Sequence, residues 1–218
     1  MEFKLHPKIT ELLCARLCHD MISPVSAINN GVELVTEFSD DLKGEALELI
    51  AESARKASSH LQFFRVAYGS ARSADGSGIG LGEARRRTLD ALGGERITID
   101  WPETVVADED AIPREGVKLI INLVMLATEL LPGAGGVAFR ATRDGDAFDV
   151  TVTASKEGLS LARDYAAALD LDVDVETLTP RTVQAYYACV LAKSCGEGLQ
   201  IEQEPGQIQL SARVNALS

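Results

Sequence analysis

From about Pro7 to Phe38 apolar residues return at spacings of three and four, and one heptad register holds throughout. Leu17, Pro24, Gly31 and Phe38 fall on one position of it, and Leu13, Asp20, Ala27 and Leu34 on the other. Cys14, Met21, Ile28 and Val35 widen the stripe. This spacing predicts a long helix with one buried seam. Ser39-Asp40-Asp41 reads as a turn. From about Gly44 to Tyr68 a second helix carries Leu47, Ile50, Ala54, Ala57, Leu61, Phe64 and Tyr68 on a matching seam. Two such helices are ~40–45 Å long at the helical rise per residue. Their sequence neighbours are too few to cover both faces. Pairing with a second copy would bury the seam in a dimeric four-helix bundle.

Ser70 to Gly80 is small, polar and glycine-rich, so residues 71–80 are expected to be a linker between a hairpin domain (1–70) and a second domain (81–218). Gly76, Gly78 and Gly80 lack the lysine and the strand–loop–helix setting of a phosphate loop. Beyond the linker, helical and alternating patterns interleave. Gly82–Leu92, Ile112–Leu131, Leu159–Ala168 and Thr182–Ser194 predict helices. Ile97–Trp101 alternates as a strand. Val137–Thr142 with Ala147–Ala154, and Leu199–Glu204 with Gln207–Val214, predict two hairpins turning at Gly145 and Gly206. The expected fold class is α+β: a helical hairpin, then an α/β sandwich with helices on one face of a mixed sheet.

Charge narrows the function classes. Against 33 Asp and Glu stand 21 Lys and Arg, a formal net charge of −12. That balance lacks the footprint of a nucleic-acid binder and would be repelled by an anionic membrane. No apolar run reaches membrane-spanning length and no basic-then-apolar leader opens the chain, so a cytoplasmic location is expected. There, Cys14, Cys18, Cys189 and Cys195 should be reduced. Arg85-Arg86-Arg87 reads as a solvated helix face, with contact to an acidic partner as the alternative.

The most informative segment is Cys18-His19-Asp20-Met21-Ile22-Ser23-Pro24. His19 lies off the buried stripe, so its imidazole should face solvent. Ala15, Arg16, Ile22 and Ser23 are its helical neighbours, with Leu12 and Ser26 one turn further away. A partner protein could dock on this small, apolar surface through Leu12, Arg16, Ile22, Ser23 and Ser26, with Arg16 meeting phosphate oxygens. Imidazole is nucleophilic near neutral pH and releases a phosphoryl group readily. Asp20 can fix its tautomer or accept its proton. Pro24 removes a helical hydrogen bond just beyond. A surface histidine without function, and a metal site from Cys14, Cys18 and His19, are the other readings of the same residues.

His19-Asp20 with Pro24 resembles the phosphoacceptor box of histidine-kinase dimerisation domains. Ala15-Arg16-Leu17-Cys18-His19-Asp20, with Ser23-Pro24, Ile28, Asn30-Gly31 and Glu33-Leu34, is more similar still to ChpT-type histidine phosphotransferases of alphaproteobacterial phosphorelays. The resemblance implies His19 and Asp20 as catalytic residues. It implies a homodimer that takes a phosphoryl group from the receiver of a CckA-like hybrid kinase and gives it to CtrA-like and CpdR-like response regulators. Magnesium would then be carried by the receiver, and this chain would bind no cofactor.

The second domain resembles a histidine-kinase ATP-binding domain in which the nucleotide residues have been replaced. Asn122 through Ala127, Leu131-Pro132-Gly133 and Gly135-Gly136 align with the helix that carries a kinase's magnesium asparagine, but Leu126 occupies that asparagine's place. It offers the cation no oxygen. Ala154 stands where adenine recognition requires an aspartate, and Lys156 replaces a glycine. Thr179-Pro180-Arg181-Thr182 stands where a glycine-rich phosphate loop is expected. The leading expectation is a phosphotransferase acting through His19. A non-catalytic scaffold that sequesters a receiver is the alternative, and an unrelated α/β module remains possible for the second domain on its pattern alone.

Overall fold

The computed structural model describes residues 6–37, 43–69 and 79–217. The expected turn at Ser39-Asp40-Asp41, and nearly all of the glycine-serine linker, lie outside them. Two long helices come first, α1 (Pro7–Glu37) and α2 (Lys43–Ala67), packed side by side. α1 runs unbroken through Pro24, whose ring is buried. Lacking an N–H, Pro24 leaves the carbonyl of Asp20 without its helical partner. The helices approach closely at Gly31, where an added Cβ would sit 2.5 Å from Ile50 Cγ1 and 3.2 Å from the Ala46 carbonyl.

That close approach explains a departure from the expected seam. Small and polar residues, Ala46 and Ser53, take the buried inner face of α2, with Ile50 half-buried between them. Leu47, Ala54 and Leu61, expected within the seam, are exposed. So is Cys14 on α1.

The second part adds α3 (Leu81–Leu92), β1 (Ile97–Asp100), α4 (Arg114–Leu130), β2 (Gly135–Asp144), β3 (Ala147–Ser155), α5 (Arg163–Ala168), α6 (Val183–Cys195), β4 (Leu199–Glu204) and β5 (Gln207–Asn215). The sheet runs β1-β2-β3-β5-β4, with β1 parallel to β2 and the remaining pairs antiparallel. The hairpins fall where the pattern placed them. Gly145 and Gly206 turn them with φ of +59° and +78°, a region open mainly to glycine. Alternate residues of the central strands, including Phe139, Val152 and Leu210, are fully buried beneath α4 and α6. The intervening residues, such as Thr151 and Ser211, are polar and part-exposed.

The helix expected from Leu159 begins only at Arg163. The Leu161 amide is drawn away by Gln203 Oε1 at 2.9 Å, and Leu159 is buried in the core instead of lying on a helix face. α4 begins two residues later than expected. Pro113 holds Ile112 in extended backbone.

The hairpin and the sheet layer share one core. Ile9, Leu12 and Leu13 of α1, and Phe63, Phe64, Val66 and Ala67 of α2, join the cluster that continues through α4 and the strands. A buried polar network fastens the junction. Asn122 Nδ2 donates to the Ala67 carbonyl at 3.0 Å, an acceptor at the end of α2 with no partner inside its own helix. Gln184 Nε2 donates to Asn122 Oδ1 at 3.0 Å, and the Tyr68 hydroxyl donates to Gln184 Oε1 at 3.0 Å. Every member meets a partner, so the burial of these amides is compensated.

Candidate functional site

His19 projects from the middle of α1 with 86% of its side chain exposed. Its Nδ1 lies 3.2 Å from Asp20 Oδ1. A carboxylate accepting there keeps the proton on Nδ1 and leaves the Nε2 lone pair pointing outward. Asp20 is partly shielded, so one member of the pair is anchored near the helix surface while the ring stands free.

Beside the ring lies a cleft of about 500 Å³. α1 contributes Arg16, His19 and Asp20 to it, α4 contributes Glu129, and α5 contributes Tyr165. The loop before α6 closes it with Thr179, Pro180 and Arg181. The sequence resemblance expects a phosphate loop at this segment, and the loop found there packs on the histidine-bearing helix. Arg16 pairs with Glu129 and approaches the Pro180 carbonyl through Nη1 at 3.4 Å. Arg181 lies 5.3 Å from the centre of the Tyr165 ring, a cation–π contact, with Asp164 at 3.8 Å.

Of the surface residues expected to receive a partner, Ile22, Ser23 and Ser26 are exposed, Ile22 by 63%. Leu12 is not. It is buried, because the face that His19 presents to solvent is covered by the second domain lower on the same helix. Arg16 is half-buried and already engaged by Glu129. The other histidines have other settings. His60 is half-buried, with Nε2 3.1 Å from the Ala91 carbonyl, and burial lowers its pKa. His6 meets the Lys8 amide near the start of α1.

Sequence reasoning missed Glu129 and Tyr165 and noted Thr179-Pro180-Arg181 only for what it lacks. One signal was available. Glu129 is a carboxylate within the apolar run Leu119–Leu131. Leu126 and Ala154, which the sequence resemblance sets against a kinase's magnesium and adenine contacts, are both fully buried in the core. Among the described residues no group of histidine, cysteine, aspartate or glutamate side chains could hold a metal ion, and no helix is long and apolar enough to cross a membrane.

The profile of the histidine phosphotransferase C-terminal domain matches residues 81–207. The chain is 33% identical over 201 residues to the protein phosphotransferase ChpT of Brucella abortus strain 2308, covering 92% of this chain and 93% of that one. The chain belongs to the histidine phosphotransferase family. A solved bacterial phosphotransferase superposes with a TM-score of 0.78 at 29% identity, covering 97% of this chain and 98% of that one. The likeness therefore spans hairpin and sheet together. Membership makes this chain a phosphotransferase, and its partners are those of two-component phosphorelays.

Proposed function

We propose that this phosphotransferase carries its phosphoryl group on His19 and passes it between aspartates of receiver domains. The observation that supports this most strongly is the His19–Asp20 pair: an exposed ring, bound at Nδ1 and free at Nε2, at the mouth of a cleft. In the forward step the Nε2 lone pair attacks phosphorus of a receiver's aspartyl phosphate. The bond from phosphorus to the carboxylate oxygen breaks, and the carboxylate departs with its electron pair. Asp20 steadies the positive charge that develops on the ring. Magnesium stays with the receiver, and this chain binds neither metal nor nucleotide.

Ile22, Ser23 and Ser26 form the docking surface, and Arg16 faces the phosphoryl oxygens from the cleft. The receiver of a CckA-like hybrid kinase is the donor, and CtrA-like and CpdR-like regulators are the acceptors, in the cytoplasm. Two copies pair through the exposed apolar stripes of the hairpin, Val25 and Val32 on α1 and Leu47 and Leu61 on α2. These residues recur at heptad spacing, as a four-helix seam requires. Residues 1–70 form the dimerising and phosphoryl-bearing unit, 71–80 the linker, and 81–218 the buttress that frames the cleft.

The test is transfer from a phosphorylated receiver to purified chain. His19→Ala should accept no phosphoryl group while still binding the receiver and keeping its melting temperature. Full acceptance by that variant would remove His19 from the mechanism.

A further inference from the structure

Glu129 stands in the last turn of α4, and the neighbours Met125, Leu126 and Leu130 on that helix are buried apolar residues. Neither the helix nor the core has use for a carboxylate there. The C-terminal end of a helix is its negative pole. An apolar side chain at this position would avoid the cost of burying a polar group. The carboxylate spends its position on one partner across the domain junction: Glu129 Oε1 accepts a hydrogen bond from Arg16 Nη2. Arg16 precedes His19 by three residues on α1, so the two side chains share a face, and both line the cleft.

We infer that Glu129 is a positioning residue for phosphoryl transfer: it reaches from the second domain to hold the Arg16 guanidinium beside His19. With Nη2 held by Glu129 and Nη1 directed at the Pro180 carbonyl, the orientation of the guanidinium is fixed from two sides. Arginine carries five N–H donors, and these two contacts leave others for phosphoryl oxygens. The inference rests on His19 as the acceptor. It assigns the second domain a part in catalysis that no nucleotide residue of that domain supplies.

The groups around Glu129 bear on the sign of its charge. Arg16 and Asp20 face it from α1, Tyr68 from just past the end of α2 and Tyr165 from α5, and Arg181 lies across the cleft. Burial pushes the carboxyl up to about 8, with Arg16 opposing and Asp20 reinforcing. Below that value the protonated carboxyl still accepts the arginine's hydrogen bond without cancelling its charge. Above it the anion neutralises Arg16, and the pull on a phosphoryl group weakens.

Rapid-quench transfer from a receiver phosphorylated with acetyl phosphate tests this, with receiver concentration and pH varied. Glu129→Ala should slow transfer at saturating receiver by roughly 10- to 100-fold, the scale of a misplaced catalytic contact, with the half-saturating concentration unchanged. Glu129→Gln keeps the acceptor oxygen and should transfer near the wild-type rate, without the wild-type decline above pH 8. A purely structural latch would lower the melting temperature and leave the pH profile unchanged. Wild-type transfer by Glu129→Ala, or equal losses in both variants, would overturn the inference. If Glu129→Ala fails to fold, an alkaline decline that persists in Glu129→Gln does the same. Phosphoryl acceptance by His19→Ala would instead overturn the reading of His19.

Discussion

His19 and Leu126 are the two places where the sequence resemblance sets a kinase's chemistry, and their surroundings are opposite. His19 stands 86% exposed, with its Nδ1 against Asp20 Oδ1. Leu126 is completely enclosed, within the same apolar core as Ala154, Leu159 and Leu178. On the proposed mechanism, function at the open site depends on a few atoms that contribute little to packing. At the closed one, the volume has been given over to the core, so side chains there govern stability. The proposed mechanism thus divides the frame into a reactive helix and a buttress, and substitutions in the two regions should fail in different ways.

The largest contrast comes from Leu126→Asn. An amide there introduces a polar group into a filled apolar site and removes packing, which should cost about 2–5 kcal/mol of stability by chemical denaturation. It should confer no heat of binding in titration with magnesium-ATP, because the buried Ala154 and the loop Thr179-Pro180-Arg181 still offer no adenine or phosphate contacts. Saturable ATP binding by this variant would show that the closed site is one residue from reopening, and the contrast would collapse.

Asp20→Ala probes the open side. Losing the group that orients Nδ1 should slow transfer by about 10²-fold, the lower end of what such a group contributes, with little change in stability. An unfolding midpoint lowered as far as that of Leu126→Asn would mean that the reactive helix is structural after all.

Leu61→Glu should have the smallest effect on the single chain, since Leu61 is half exposed. A surface substitution of this kind changes chain stability by about 0.5 kcal/mol or less. Placed in a seam between two copies, the same carboxylate should separate them, halving the mass measured by light scattering. Phe64, one turn on and buried in the shared core, should unfold the protein when given the same change. A Leu61→Glu protein of undiminished mass would move the dimer contact elsewhere on the hairpin.

Much of this was legible from the chain. The helices and both hairpins followed from periodicity, because apolar faces repeat at 3.6 or 2 residues wherever one side meets a core. His19 stood out because it fell off the stripe and was followed by Asp20 and Pro24. Three features did not show. Leu12 shares the side of α1 that carries His19, and only the packing of the second domain decides that one is buried and the other free. The partnership of Arg16 with Glu129 joins residues 113 positions apart, and no local pattern encodes such a contact. The inner seam of α2 also escaped, since Ala46 faces the close approach at Gly31 and Ser53 is buried there without being hydrophobic.

The central claim is the location of the phosphoryl group, and mapping it is the most direct test. Chain incubated with a phosphorylated receiver is digested and examined by mass spectrometry under alkaline conditions, with a parallel sample treated with acid. The account predicts one phosphorylated peptide, carrying the group on His19, stable in base and lost in acid. Phosphate on His6, His60 or an aspartate, or a label that survives acid, would contradict it.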